Sequence, residues 1–398
     1  MTRPLAYRHT TFDIRAANED IFLAFTNWLA GDDGPDPARA SRIHTFWLDD
    51  SQANSNARVL VQSVLGFGIQ GAREFSPSFW AAWTALLPQL TSMQEFCIRA
   101  VLPVAVLKQV GRCNGSVIRK MDVLVQEMDL VQLVPCFSRF PALEELCLDV
   151  SYNRNLTIPA SLRTQGLGLH FDLPSLISLE TRASSPDGDV LVWLSQSALP
   201  NLTTLRLHLN DWFIRDVLSI VMKAHGAKLT TFGYSWANID TTTSVFPYTP
   251  HLISLGIPSA LPQHRIVEQL RGLPPTVTKV VLYNRDVIHN QQFEFIELIP
   301  QMCTALQDLF HARRALPTFH MTNPPPKYAS RKPFLWRTQM EYELDRHSPE
   351  YWNEFLEAAN RLLGLGVVVV DEEGVELRDV VREREGMRGR MLEGTKVL

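Results

Sequence analysis

The stretch LPNLTTLRLHLN, Leu199–Asn210, places leucines at 199, 202, 205, 207 and 209, so the interval between them shortens from three residues to two. An interval of two belongs to an extended strand, whose alternate side chains point to opposite sides. Leu205, Leu207 and Leu209 therefore share one side, and Thr204, Arg206 and His208 share the other. This is the pattern of a strand with one buried and one solvated face. The opening Leu-Pro ends what comes before, because proline fixes its own φ and drives the preceding residue out of the helical region.

The same six-residue pattern recurs along the chain. It appears as IHTFWL from Ile43, MQEFCI from Met93, IRKMDV from Ile118, LEELCL from Leu143, LISLET from Leu176, LTTLRL from Leu202, LTTFGY from Leu229, LISLGI from Leu252 and VTKVVL from Val277. The successive steps are 50, 25, 25, 33, 26, 27, 23 and 25 residues. A step near 25 is that of a leucine-rich repeat, in which each unit is a short strand followed by a helical or irregular return. The double step leaves room for a degenerate unit around VLVQSVLGFGI, and the step of 33 implies an insertion within SYNRNLTIPASLRTQGLGLHF. Several units begin with Leu-Pro or Phe-Pro, at Leu87, Phe140, Leu173 and Leu199. Between strands lie stretches such as DWFIRDVLSIVMKAHG, where Trp212, Val217, Ile220 and Val221 can share a helical face, Asp211 can cap the start and Gly226 can end it. One such unit cannot bury its own apolar side, whereas a stack of them can.

The expected fold is α/β, a leucine-rich-repeat solenoid with a curved parallel sheet on the concave side and helices and loops on the convex side. About ten units would occupy residues 1–322. An eight-fold α/β barrel offers the same alternation of strand and helix, but its strands are covered on both faces and read as continuous apolar runs. Here Asp149, Glu180, Thr204 and Arg206 stand at alternate positions. Residues 323–377 differ, with three consecutive prolines followed by SPEYWNEFLEAANRLLGLGVVVVDEEGVEL. Ser348 reads as a helix N-cap with Pro349 at the first helical position, Trp352, Phe355, Leu356, Ala359, Leu362 and Leu363 form an apolar stripe, and Gly364 or Gly366 ends the helix. This is expected to be the capping repeat that a solenoid end requires. Residues 378–398 are expected to be a charged, frayed tail.

Composition narrows the function. The 398 residues are 45% hydrophobic and 20% charged with a formal net charge of −4, which gives no basic excess for nucleic acid. No apolar run reaches the eighteen or so residues of a membrane span, and the N-terminus lacks the apolar core of a signal peptide, so an intracellular protein is expected. Five cysteines without a CxxC pair fit neither a disulfide framework nor a zinc site, and are expected to be small buried hydrophobes. The sequons at Asn114, Asn155 and Asn201 are about as many as chance supplies.

The degenerate LPxLxxLxL units, the opening RPLAYRHTTFDI and the closing AANRLLGLGVVVVDEEG resemble the irregular leucine-rich-repeat region of fungal F-box proteins, especially the large basidiomycete families. The resemblance implies a substrate receptor of a cullin-type ubiquitin ligase. In that family an F-box of about forty residues ahead of the RPLxYR segment docks on the ligase adaptor. The chain opens at that segment, so the F-box is expected to be missing and no adaptor-binding residue is carried over. A member without the module would be a ligase-independent binder or a degenerate copy with little function.

A competing reading rests on GFGIQG, Gly66–Gly71, after the strand-like ARVLVQSVL. Such glycines let a backbone turn against a dinucleotide pyrophosphate at a helix N-terminus, which would make the protein a nucleotide-dependent enzyme. That motif needs a helix at once and an acidic residue about twenty positions on. Here Pro77 follows soon, and MQEFCIRA ends in Arg99 and Ala100. Asp32, Asp33 and Asp36 lack the EF-hand spacing and read as an acidic loop. No GxSxG, HExxH or P-loop occurs, and the eleven histidines show no helical metal-ligand spacing. The expectation is therefore no enzyme, no cofactor and no metal. A protein partner is expected on the concave face, among Trp47, Arg99, Asp122, Asp149, Glu180, Arg206, His208 and Tyr283, since aromatic and arginine side chains on a rigid sheet are usual anchors of recognition.

Overall fold

Leucines spaced as in Leu199–Leu209 form a turn and then a strand, and the computed structural model repeats this combination along the chain. It describes residues 12–15, 43–49, 77–126, 130–151, 170, 172–183, 189–209, 215–234, 245–258, 268–283, 317–322, 334–338, 340 and 349–385. The chain divides into two compact units, residues 1–228 with 327–330, and residues 229–326 with 331–398.

In the first unit the strands are β1 (Phe12–Arg15), β2 (Thr45–Asp49), β3 (Glu95–Val101), β4 (Lys120–Gln126), β5 (Glu145–Ser151), β6 (Ser178–Ala183) and β7 (Thr204–Leu209). Each pairs in parallel with the next in sequence. The returns include helices α1 (Pro77–Leu86), α2 (Val104–Asn114), α3 (Leu130–Phe137), α4 (Asp189–Gln196) and α5 (Arg215–His225). The second unit pairs β8 (Thr231–Tyr234) with β9 (Ser254–Pro258), then β10 (Lys279–Tyr283), β11 (Thr318–Thr322) and β12 (Val369–Val370), again all parallel. Among the described residues, neither unit pairs its first strand with its last. The fold is a repeat-like parallel α/β arrangement.

Strand pairing keeps the phase of the leucine pattern. The Ile177 carbonyl accepts hydrogen bonds from the N–H groups of both Thr203 and Thr204, at 2.9 and 3.0 Å, where β7 begins. The carbonyls of His44, Gln94, Arg119 and Glu144 do the same for the strands that follow them, as do those of Thr230 and Ile253 in the second unit. Leu205 and Leu207 are consequently buried, together with Leu146, Leu148 and Val150 of β5 and Met121, Val123 and Val125 of β4. The turn ahead of six of the described strands is closed by a hydrogen bond to a carbonyl three residues back: Met93 to Leu90, Leu143 to Phe140, Leu176 to Leu173, Leu202 to Leu199, Leu252 to Thr249 and Val277 to Pro274. Proline fills the second turn position at Pro141, Pro174, Pro200, Pro250 and Pro275, where its fixed φ is pre-set. Leu87 lies one turn earlier than the sequence alignment places it, in a 3-10 helix (Leu87–Gln89), and Leu90 takes the equivalent position.

The strands at the two ends of the double step of 50 residues are direct neighbours, with Thr45 paired to Glu95. The return helix α1 inserts Trp83 between the strands' aromatic side chains. Its ring stacks at 3.9 Å on Phe46 and lies 6.2 Å from Phe96. The expected degenerate unit around VLVQSVLGFGI falls outside the described residues. So do Trp212 and Asp211, proposed for the start of α5. That helix buries Leu218, Val221, Met222 and His225, whereas Ile220 is 49% exposed and does not join the apolar face. Four residues spaced three, four and seven apart define the buried side, and Ile220 falls between them.

Neighbouring returns approach most closely at Asn114 and Gly115. The Asn114 amide, buried, donates to the Leu90 carbonyl of the preceding repeat at 2.6 Å, so this sequon asparagine is a structural side chain. Gly115 has ordinary helical φ and ψ of −59° and −30°, but a Cβ there would lie 2.0 Å from the Arg139 carbonyl oxygen. Glycine is needed here for the space it leaves and not for its torsions.

At the C-terminal end, α6 (Pro349–Gly364) buries Phe355, Leu356, Ala359 and Leu362, with Leu363 at its margin, and the chain turns through Gly366 at φ +77° into β12. Ser348 and the Trp352 side chain lie outside the description. The buried Asp371 carboxylate accepts three backbone N–H groups, from Trp336, Glu373 and Val375, at 3.1, 3.0 and 2.8 Å. The expected frayed tail is corrected for its first part. Residues 377–385 are helical with Val380 and Val381 buried, and Glu383 and Glu385 bond to Arg337 and Asn360.

Gly115→Ala is expected to destabilise the protein by about 2 kcal/mol or more, because a carbonyl of the next repeat must move. Chemical denaturation measures this, and an unchanged midpoint would contradict the close approach.

Candidate functional site

Register determines which polar side chains share a face. In the first unit one row runs Trp47, Cys97, Asp122, Cys147, Glu180, Arg206 across β2 to β7. A second runs Thr45, Glu95, Lys120, Glu145, Ser178, Thr204, and Asp149, Arg182 and His208 are in register beyond the first. Of the residues singled out in the sequence, Asp122, Asp149, Glu180, Arg206 and His208 are thus brought onto one polar face, all half-buried. The backbones of Trp47 and Arg99 occupy β2 and β3, but their side chains lie outside the described residues.

Glu180 is the centre of the most closely spaced group. Its carboxylate lies 3.9 Å from the Arg206 guanidinium and 3.4 Å from His208 Nε2, and its side chain is only 13% exposed. Lys120 forms a second pair with Glu145 at 3.5 Å. Burial acts against the Lys120 ammonium, but Glu145 and Glu95 on the flanking strands outweigh it and hold its pKa above the usual lysine value. At the strand entry Arg119 bonds to Glu144 at 2.8 Å. The face is therefore ordered by ion pairs that follow the parallel register.

Tyr283 requires a correction. It does stand on the alternate face of β10, with Lys279 and Val281, but it is 8% exposed and offers little surface. The reason lies in β9, where a Cβ at Gly256 would come 2.5–2.8 Å from the Tyr283 ring, which covers the glycine. Gly233 is in register with Gly256, and Val281 with His320. This side of the second unit thus combines glycines, Val281 and the covered Tyr283 with Lys279 and His320. Burial, and then Lys279, lower the pKa of His320.

Sequence reasoning missed Lys120, Glu145 and Cys147 as members of the polar face, although each sits at an alternate position of a recognised unit. Cys97 and Cys136 are buried and Cys113 and Cys147 half-buried, and none of these four is in a disulfide. Burial raises the pKa of Cys136. Among the described residues no group of three or more His, Cys, Asp or Glu is placed to hold a metal ion, and no helix is long and apolar enough to cross a membrane. GFGIQG and the acidic loop at Asp32, Asp33 and Asp36 lie outside the described residues.

No family model and no curated protein matches the chain. A solved protein of Bacteroides fragilis, determined by a structural genomics consortium, is similar over 70% of each chain with 13% identity and a TM-score of 0.38. A likeness of that size transfers no function.

Gly256→Ala is expected to push the Tyr283 ring off β9. Tyrosine nitration read by mass spectrometry should then modify Tyr283 in the variant and spare it in the native protein. Equal reactivity would mean that the ring does not cover the glycine.

Proposed function

We propose that this chain is a non-catalytic protein-binding scaffold of the leucine-rich-repeat type, which holds its partner on the polar face of its parallel strands. The supporting observation is the group Glu180, Arg206 and His208, with its carboxylate 13% exposed and both partners on the adjacent strand. Side chains held on adjacent strands lose less conformational freedom on binding than side chains on loops, which favours recognition by a sheet face. The mixture of paired acids and bases favours a partner that exchanges ion pairs over one drawn by net charge. In the particular form implied by the resemblance to fungal F-box proteins, the face selects the substrate of a ubiquitin ligase and adaptor binding falls to an F-box.

The test compares the native protein with a variant carrying Glu180→Ala, Arg206→Ala and His208→Ala, matched for thermal stability. Affinity capture from fungal cells followed by mass spectrometry is expected to recover partners that the variant loses, with binding to a recovered partner weakened roughly tenfold or more. In the ligase form, the adaptor and cullin should accompany both versions when an F-box is joined to the chain. Partners retained in full by the variant would place the binding face elsewhere, and absence of the adaptor would remove the ligase form of the proposal.

A further inference from the structure

His225 is a titratable side chain buried among the helical returns, away from the polar face. It is the last residue of α5 and is 4% exposed. Its Nε2 lies 2.7 Å from the carbonyl oxygen of Leu194 in α4, the return of the preceding repeat. A carbonyl can only accept, so Nε2 carries a proton. The other nitrogen, Nδ1, is buried with no hydrogen-bond partner. Leu218, Val221 and Met222 of the same helix and Leu194 of α4 are all buried.

A second proton would add a positive charge and an N–H donor with no acceptor to this apolar surrounding. Burial lowers the pKa of the ring, the Leu194 carbonyl opposes that shift, and Lys228 adds to it. Lys228 comes from the 3-10 turn Gly226–Lys228 and donates to the Leu199 carbonyl, and burial lowers its own pKa as well. From α4 the group facing the ring is a backbone carbonyl, and among the described residues no carboxylate acts on it.

We propose that His225 is a pH-sensitive tie between consecutive returns: neutral, it holds α5 against α4, and protonated, it lets α5 come away. The sign follows from linkage. The ring binds a proton more readily in the open state than in the closed one, so the closed state is fully favoured above about pH 6.5, the ordinary value for histidine. It loses ground as the pH falls from there toward the lower closed-state value. Because α5 follows β7, opening would loosen the repeat that carries Arg206 and His208. That consequence rests on the proposed binding face, whereas the tie does not.

The test is amide hydrogen exchange of the α4 and α5 peptides at pH 7.5 and 5.5, corrected for intrinsic exchange, in the native chain and in His225→Gln. Glutamine keeps a donor for Leu194 but does not titrate. Protection in the native chain is expected to fall at the lower pH by up to about tenfold per pH unit below 6.5. Protection in the variant should be the same at both. Native protection that does not change with pH, or an equal fall in the variant, would overturn the proposal. A direct readout stands apart from the fate of the variant: the ¹³C-labelled His225 ring should protonate only together with loss of α5 protection. A ring that titrates while α4 and α5 stay protected would also overturn it.

Discussion

Seven of the described strands start where one backbone carbonyl accepts two successive N–H groups from the repeat that follows. His44, Gln94, Arg119, Glu144 and Ile177 play this part in the first unit and Thr230 and Ile253 in the second, with distances between 2.7 and 3.1 Å. The two bonds fix the phase of a strand as well as its neighbour. A strand shifted by one residue would turn its leucines to solvent and its charges inward. The buried row Leu146, Leu179, Leu205 and the polar row Cys147, Glu180, Arg206 are two results of one register.

The returns then have to fit between strands held about 4.8 Å apart. This explains why a small residue and a buried amide meet at Asn114 and Gly115, and why buried polar groups there reach for backbone of the preceding repeat. Asn114 reaches Leu90, His225 reaches Leu194, and Lys228 reaches Leu199. Ser175 and Asn201 do the same at the turns, donating to the carbonyls of Pro141 and Pro174. Some buried polar atoms have no such outlet, the Thr181 hydroxyl among them. Thr181 is buried among Leu146, Leu148, Leu179 and Leu194, and its hydroxyl has no hydrogen-bond partner.

The periodic part of this design was legible in the sequence. The steps of 23 to 33 residues marked the strand entries, and the alternation in LTTLRLHL assigned Leu205 and Arg206 to opposite faces. What escaped depended on neighbours distant in sequence. The direct pairing of β2 with β3 depends on the return that carries Trp83, which a six-residue window cannot see. The burial of Tyr283 depends on Gly256 in the next strand. Ile220 was placed beside Val221 on the apolar face, but the buried side of α5 runs through Leu218, Val221, Met222 and His225 and leaves it exposed. Strand β1 and the carboxylate turn at Asp371 belong to no leucine pattern and gave no periodic signal.

The register itself can be tested between β5 and β6, across the inserted step of 33 residues. Cys147 is half-buried and in no disulfide, and it is in register with Glu180 on the same face of the adjacent strand. Parallel neighbours lie within the Cα separation that a disulfide spans. Glu180→Cys, oxidised under mild conditions and mapped by mass spectrometry, should form an intrachain disulfide with Cys147, while Leu179→Cys and Thr181→Cys should not. A thiol at 180 that stays free while one at 179 or 181 pairs with Cys147 would contradict the register on which the polar face depends.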